Sequence, residues 1–165
     1  MSARREDIAR DLIAREAHYL DQQRWEQWLD LYTEDAIFWV PAWRNESTLT
    51  SDPQKELSFI YLDGRSFLEE RVHRIKSGRA ISSVPMPRTA HLVTSSIVEA
   101  DADGSTRVDS IWSSHVYLHK ENSLVTYAGR YEHRLVDHDG ELKISHKKII
   151  LINDYLISKL DFFYV

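Results

Sequence analysis

The chain contains no cysteine. That excludes a disulfide framework, a thiolate zinc centre, a cysteine nucleophile and any cysteine-ligated iron-sulfur cluster held by this chain alone. Glycine and proline are also sparse, at five and four residues. No glycine-rich phosphate cradle can be built from glycines scattered in turns and helix ends, and there is no Gly-x-Ser-x-Gly elbow of a nucleophilic hydrolase. Nowhere do about 18 apolar residues run together, and residues 1–10 lack the apolar segment of a signal peptide. A soluble cytoplasmic protein with no membrane partner is expected. Basic residues are outnumbered, leaving a net charge of −5 and a pI near 5.9. Nucleic acid is therefore an unsuitable partner, because neutralising phosphates requires a basic face.

What is present fits one domain spanning residues 1–165 of a 19.4 kDa chain. A domain of this size buries roughly 70% of its unfolded surface, enough for a core without staples. Five Trp and eight Tyr point either to a large aromatic core or to a tight oligomer, since aromatics are enriched at interfaces. We find no internal repeat and no low-complexity segment.

Residues 16–43 organise the rest. Ala9, Ile13, Ala17 and Leu20 share one face at helical spacing, flanked by Ile8 and Leu12. After Asp21, read as an N-cap, Trp25, Trp28, Leu29 and Tyr32 give a second short helix. The aromatic and β-branched run from Ala36 to Val40 is a strand that Pro41 closes. Ser66 and Glu69 have capping-box spacing at the front of a third helix that ends at Gly78, with Phe67, Leu68, Val72 and Ile75 as its buried stripe. Long strands follow over residues 91–99, 107–119, 124–136 and 142–153, with hairpin turns at Asp101 to Gly104 and Asp137 to Gly140. In the second of these, Val108, Trp112, Val116 and Leu118 alternate with Asp109, Ser113, His115 and His119, so one face is core and the other is wet or in contact with a partner. The unbroken run Ile149 to Ile152 implies a central strand buried on both faces. Helices first and long strands afterwards predict an α+β fold, a curved sheet wrapped around a helix.

Two charges stand where apolar residues belong, Glu16 on the first helix and Arg71 on the third. An ionised carboxylate in an apolar stripe costs several kcal/mol unless paired or neutralised. Three readings remain open: a buried ion pair with Arg71; a helix rotated so that Glu16 reaches water; or a catalytic acid or base in an interior pocket. The pair His115 and His119 invites a metal hypothesis. On a strand, however, their α-carbons lie about 13 Å apart, too far to share one ion comfortably. Glu69 and His73 are one helical turn apart, a spacing common on solvated faces. We predict no metal, cofactor or catalytic residue in this chain.

Contact surfaces are expected instead. Residues 43–56 form a long polar excursion carrying Trp43, Asp52 and Pro53, and loops of this length are usually functional or interfacial. The His115 and His119 strand face is a second candidate. The apolar end Phe162, Phe163, Tyr164 and Val165 is a third, since so greasy an end packs against something.

Several motifs occur in order along nearly the whole chain: Arg15-Glu16-Ala17, Tyr19-Leu20-Asp21, Trp28-Leu29-x-Leu31-Tyr32-x-x-Asp35 and Trp39-Val40-Pro41. They resemble the small, or β, subunit of bacterial aromatic-ring-hydroxylating dioxygenases. Thr50-x-Asp52-Pro53, Leu68-Glu-x-Arg71-Val72-x-Arg74-Ile75, Pro87-Arg88-Thr89-x-His91-Leu92 and Asn153-Asp154-Tyr155 are similar to the benzoate and anthranilate branch. The resemblance implies a cystatin-like cone, similar to nuclear transport factor 2 (NTF2-like), with about three N-terminal helices. It also implies an α3β3 assembly in which the large α subunits carry the Rieske [2Fe-2S] cluster and the mononuclear Fe(II), and in which ferredoxin or an NADH-dependent reductase meets only the α subunit. The β subunit would be structural, with no active site of its own.

The same fold hosts isomerases and dehydratases, so a stand-alone enzyme with an interior pocket is the alternative, with Glu16, Asp35 and His91 as its candidate groups. Where the isomerases carry an aspartate before a strand-end proline, this chain has Val40 before Pro41. A free-standing ligand-binding module would have the pocket without such groups.

Overall fold

The structure, a computed structural model, describes residues 2–80, 84–156 and 159–165. Helices α1 (Ala3–Asp21) and α2 (Trp25–Asp30) lead into β1 (Tyr32–Pro41); β2 (Ser58–Asp63) and α3 (Arg65–Lys76) follow. Four long strands, β3 (Arg88–Ala100), β4 (Thr106–Leu118), β5 (Ser123–His138) and β6 (Glu141–Leu151), precede a 3-10 turn at Phe162–Tyr164. The six strands form one mixed sheet in the order β2-β1-β6-β5-β4-β3. β1 and β6 run parallel, and the other neighbours are antiparallel. This is the expected α+β architecture, and no described helix is long and apolar enough to cross a membrane.

Strand parity decides which side chains enter the core. Along β4, Val108, Ser110, Trp112, Ser114 and Val116 are buried, while their alternates reach the outer face. Trp112 stacks on Tyr131 of β5 at 4.8 Å with 3° between the rings. Opposite Trp112 in the β4–β5 register lies Gly129, where a Cβ would stand 1.8 Å from the carbonyl oxygen of Ile150. Only glycine allows β5 and β6 to approach this closely. β6 is an interior strand, as its apolar run predicts: Ile149, Ile150 and Leu151 are buried, though Ile152 is exposed.

Three local expectations are corrected. α1 runs on to Asp21, so Asp21 does not cap α2; Arg24 precedes that helix, after a left-handed turn at Gln23 with φ of 55°. The Ser66/Glu69 capping box does not form, because α3 starts two residues early, with Gly64 in place of Ser66 at the N-cap, and Glu69 accepts from Arg65 Nε at 2.9 Å. Phe67 therefore turns outward, leaving Leu68 and Val72 as the buried residues of that helix.

The apolar end is also corrected. Phe162, Phe163, Tyr164 and Val165 are buried within this chain's own core. Phe162 stacks on Trp28 with ring centroids 5.0 Å apart, and Trp25 meets both phenylalanines edge-on. With Phe38, Trp112 and Tyr131 these rings fill the space between helices and sheet.

Candidate functional site: a buried carboxylate and an edge-strand dyad

Glu16 projects from α1 into the interior and is 1% exposed. Its cation is not Arg71. Lys147 of β6 donates to Glu16 Oε1 at 2.8 Å and lies over the Tyr131 ring at 4.3 Å. Tyr32, at the start of β1, donates its hydroxyl to the same oxygen, and His133 Nε2 of β5 meets Oε2 at 3.2 Å. Arg71 stays half-buried on α3, where its charge acts on Asp161. The physical reason for this pairing is parity. Positions 133 and 147 fall on the inward side of their strands, directly opposite one another in the β5–β6 register, and α1 lies across that side.

The electrostatics follow from this enclosure. Burial alone would push the Glu16 carboxyl up, but the Lys147 charge and the hydrogen bonds from His133 and Lys147 together hold it below the ordinary carboxylate range. Burial raises the Tyr32 hydroxyl, helped by the Glu16 charge, so it stays protonated and donates. Burial lowers His133, which is therefore a neutral imidazole donating from Nε2. A catalytic acid needs a raised pKa and a path to substrate. Glu16 has the opposite shift and is walled in by three donors, which makes it a structural knot.

A second polar group ties α1 to the sheet. Asp21 Oδ1 accepts from Thr89 Oγ1 at 2.8 Å and from His91 Nδ1 at 2.6 Å, while Oδ2 accepts from the His91 backbone N–H at 2.8 Å. Burial would raise the Asp21 carboxyl, but these bonds, with His91 foremost, hold it down. Sequence reasoning found His91 and missed its partner. The third pocket candidate, Asp35, is exposed on β1 and joins neither group.

The surface candidates lie apart from both. Trp43 is half-buried and donates from Nε1 to the Leu151 carbonyl at 2.8 Å. The excursion it begins is internally bonded. Asn45 Oδ1 accepts from the Thr48 N–H at 2.9 Å, and Glu56 Oε2 accepts from the Ser51 and Asp52 N–H groups at 2.7 and 2.9 Å. Those two backbone donors, aided by the Arg44 guanidinium, bring the Glu56 carboxyl down to about 2. Asp52 is also paired with Lys55, and Pro53 beside it is half-buried. On the outer sheet face His115 meets Thr126 Oγ1 at 3.1 Å, whereas His119 sits beside Arg88 and Tyr117. The two histidines thus take different neighbours. Among the described residues, no group of three His, Asp or Glu side chains could hold a metal ion.

Comparison with known proteins bears directly on this arrangement. Residues 15–158 match the family model described as "Ring hydroxylating beta subunit". The β subunit of toluate 1,2-dioxygenase from Pseudomonas putida is 37% identical over 160 residues, covering 96% of this chain and 97% of the relative. The crystal structure of the β subunit of benzoate 1,2-dioxygenase from Burkholderia mallei superposes with a TM-score of 0.76 at 30% identity, covering 95% of each chain. A Novosphingobium aromaticivorans protein named after scytalone dehydratase shares the NTF2-like fold at a TM-score of 0.69 and 14% identity, over 94% of this chain and 90% of that one.

Proposed function

The chain belongs to the family of ring-hydroxylating β subunits, and from that premise we propose that it is the structural subunit of a dioxygenase acting on a benzoate- or anthranilate-like aromatic acid. It assembles and steadies catalytic α subunits in an α3β3 particle, and the Rieske cluster, the mononuclear iron and the contact with ferredoxin or reductase belong to the α subunit. The observation that carries this reading is the filled interior. Trp28, Phe38, Trp112, Tyr131 and Phe162 occupy the space beneath the sheet, and Glu16, the one fully buried carboxylate among the described residues, is consumed by Lys147, Tyr32 and His133. A cone packed with its own side chains works through its outside. The absence of cysteine fits a division of labour in which the cluster is held elsewhere.

The outside supplies apolar surface of the right kind. Leu57, Leu124, Ile152 and Tyr155 are among the exposed large hydrophobics, and all flank the sheet end where β1 and β6 finish and β2 and β5 begin. The excursion at 43–56, with Trp43, Asp52 and Pro53, leaves from that same end. We assign this end and the His115/His119 face to subunit contacts, since large apolar patches on a surface mark protein interfaces. Co-expression with a Rieske-containing large subunit tests the proposal. Co-purification in a complex with equal numbers of the two subunits is expected, and two species that separate cleanly on size exclusion would overturn it.

A further inference from the structure

The outer face of the sheet divides into two halves of different chemistry. Toward the β3–β4 hairpin it is ion-paired: Arg107 reaches Glu99 and Asp109, Arg134 reaches Asp103, and Lys148 reaches Glu132 at 3.1 Å. Toward the β4–β5 turn, outward positions of β3, β4 and β5 line up in register from the Arg88–Tyr117–Leu124 row to the Thr94–Ile111–Arg130 row. No outward position in that half is an Asp or Glu. Leu92, Ile111 and Leu124 each stand more than half exposed there, and Ile152, bonded to the Ala128 carbonyl just past the end of β6, extends the patch to the next strand.

Arg88 and Arg130 are the fixed charges of this half. Arg88 lies over the Tyr117 ring at 5.2 Å and beside His119. Among the described residues neither arginine has a carboxylate partner, Glu121 and Asp154 of the flanking loops included. A solvated face normally mixes both signs, as the ion-paired half does. Strands about 4.8 Å apart and rows about 6.8 Å apart give the carboxylate-free half about 400 Å², a size at which an exposed patch on a monomer is often functional. Leu124 and Ile152 also belong to the sheet end with Leu57 and Tyr155, so one continuous surface runs from face to end.

Two copies meeting face to face here would oppose arginine to arginine with no carboxylate between them, which costs free energy. The occupant must therefore bring the carboxylates. A surface that turns a corner also calls for a partner that reaches around it, which fits a large subunit better than a second copy of a 165-residue chain. We infer that this half seats the large catalytic subunit, through an apolar surface whose carboxylates meet Arg88 and Arg130. The inference rests on the reading of the chain as a dioxygenase β subunit, and adds which part of the face is covered and the chemistry of what covers it. The ion-paired half stays in water.

Arginine-selective labelling with phenylglyoxal, mapped by mass spectrometry in the chain alone and in its complex with the cognate large subunit, tests this without a substitution. Arg88 and Arg130 are expected to react at least tenfold more slowly in the complex, while Arg74, exposed on α3, reacts equally in both. Arg88→Glu/Arg130→Glu is expected to raise the Kd for the large subunit at least tenfold, and Arg88→Lys/Arg130→Lys, which keeps both charges, to lose less. Both arginines labelled at one rate in free chain and complex, or a charge-reversed chain with the wild-type melting temperature and the wild-type Kd, would overturn the assignment. Protection that grows with the concentration of the chain alone, and does not increase when the large subunit is added, would give the face to a second copy and overturn it as well. A wild-type chain that does not bind the large subunit at all would remove the β-subunit reading along with it.

Discussion

Lys147 Nζ lies 2.8 Å from Glu16 Oε1, a bond between the first helix and the last strand with both side chains withdrawn from water. Neither charge has an alternative solvent, so the pair behaves as a unit. Removing one member leaves the other buried and unpaired, which costs about 3–5 kcal/mol. Glu16→Gln is expected to show that loss in urea unfolding. Replacing both residues with methionine is expected to recover only part of it: an apolar pair of similar volume needs no compensating charge, but the Tyr32 hydroxyl and the His133 ring lose their acceptor. A double variant as unstable as the single one would contradict this account.

Acid should act on the same cluster in two stages. The folded His133 is held below its ordinary value, so in the window under the unfolded value of about 6.5 the unfolded chain binds a proton that the folded chain refuses. Stability therefore falls as pH drops through that window. Glu16 is also held below its ordinary value, so its contribution is complete above about 4.3 and is lost as pH falls further toward its folded pKa. His146, lowered chiefly by burial, adds to the first stage with the same sign. Unfolding free energies measured from pH 7.5 to 3.5 check this: His133→Gln is expected to flatten the upper part of the curve and leave the lower part.

The Asp21 clasp joins the last residue of α1 to the edge strand β3. Asp21→Asn offers one acceptor where three bonds need the carboxylate, and losing those bonds is expected to cost about 1–3 kcal/mol. Hydrogen exchange checks the location: protection should fall first at the His91 amide, whose donor currently points at Oδ2. Uniform loss across the sheet would count against a local clasp.

Phe162 belongs to the core, so Phe162→Ala is expected to cost about 3–5 kcal/mol of stability, as a fully buried aromatic does. Partner affinity measured well below the melting temperature should be unchanged. The reverse pattern, native stability with lost assembly, would restore this segment as a contact surface.

Much of the fold was legible because strand parity and helix spacing are written residue by residue. β4 alternates as its sequence alternates, and the anomaly at Glu16 is visible on a helical wheel. Its partner was not. Lys147 sits in a run with Lys143, His146 and Lys148; parity separates it from His146 and Lys148, but Lys143 shares its parity and only the bulge between Ile144 and His146 sets the two apart. Arg71 drew attention because a helical stripe makes an intruding charge conspicuous, whereas a strand hides one among alternating polar residues. Asp21 was misread for a related reason: an aspartate before a short helix looks like a cap, and nothing local announces a carboxylate that reaches 70 positions along the chain. The apolar end looked like a contact surface because its receptor, the face of Trp28, is assembled only by the complete fold.

The parallel seam between β1 and β6 joins residues 32–39 to residues 144–148. A ribosome delivers those two strands at nearly opposite moments of synthesis, with the β3-β4-β5 meander released between them. Until the last strand emerges, β1 has only β2 as a hydrogen-bonded neighbour and the Glu16 carboxylate lacks its lysine. Completion of the seam is thus a late, long-range step, slow by the rule that distant contacts form last. The sheet that carries the exterior is closed only once residues 144–148 have joined β1.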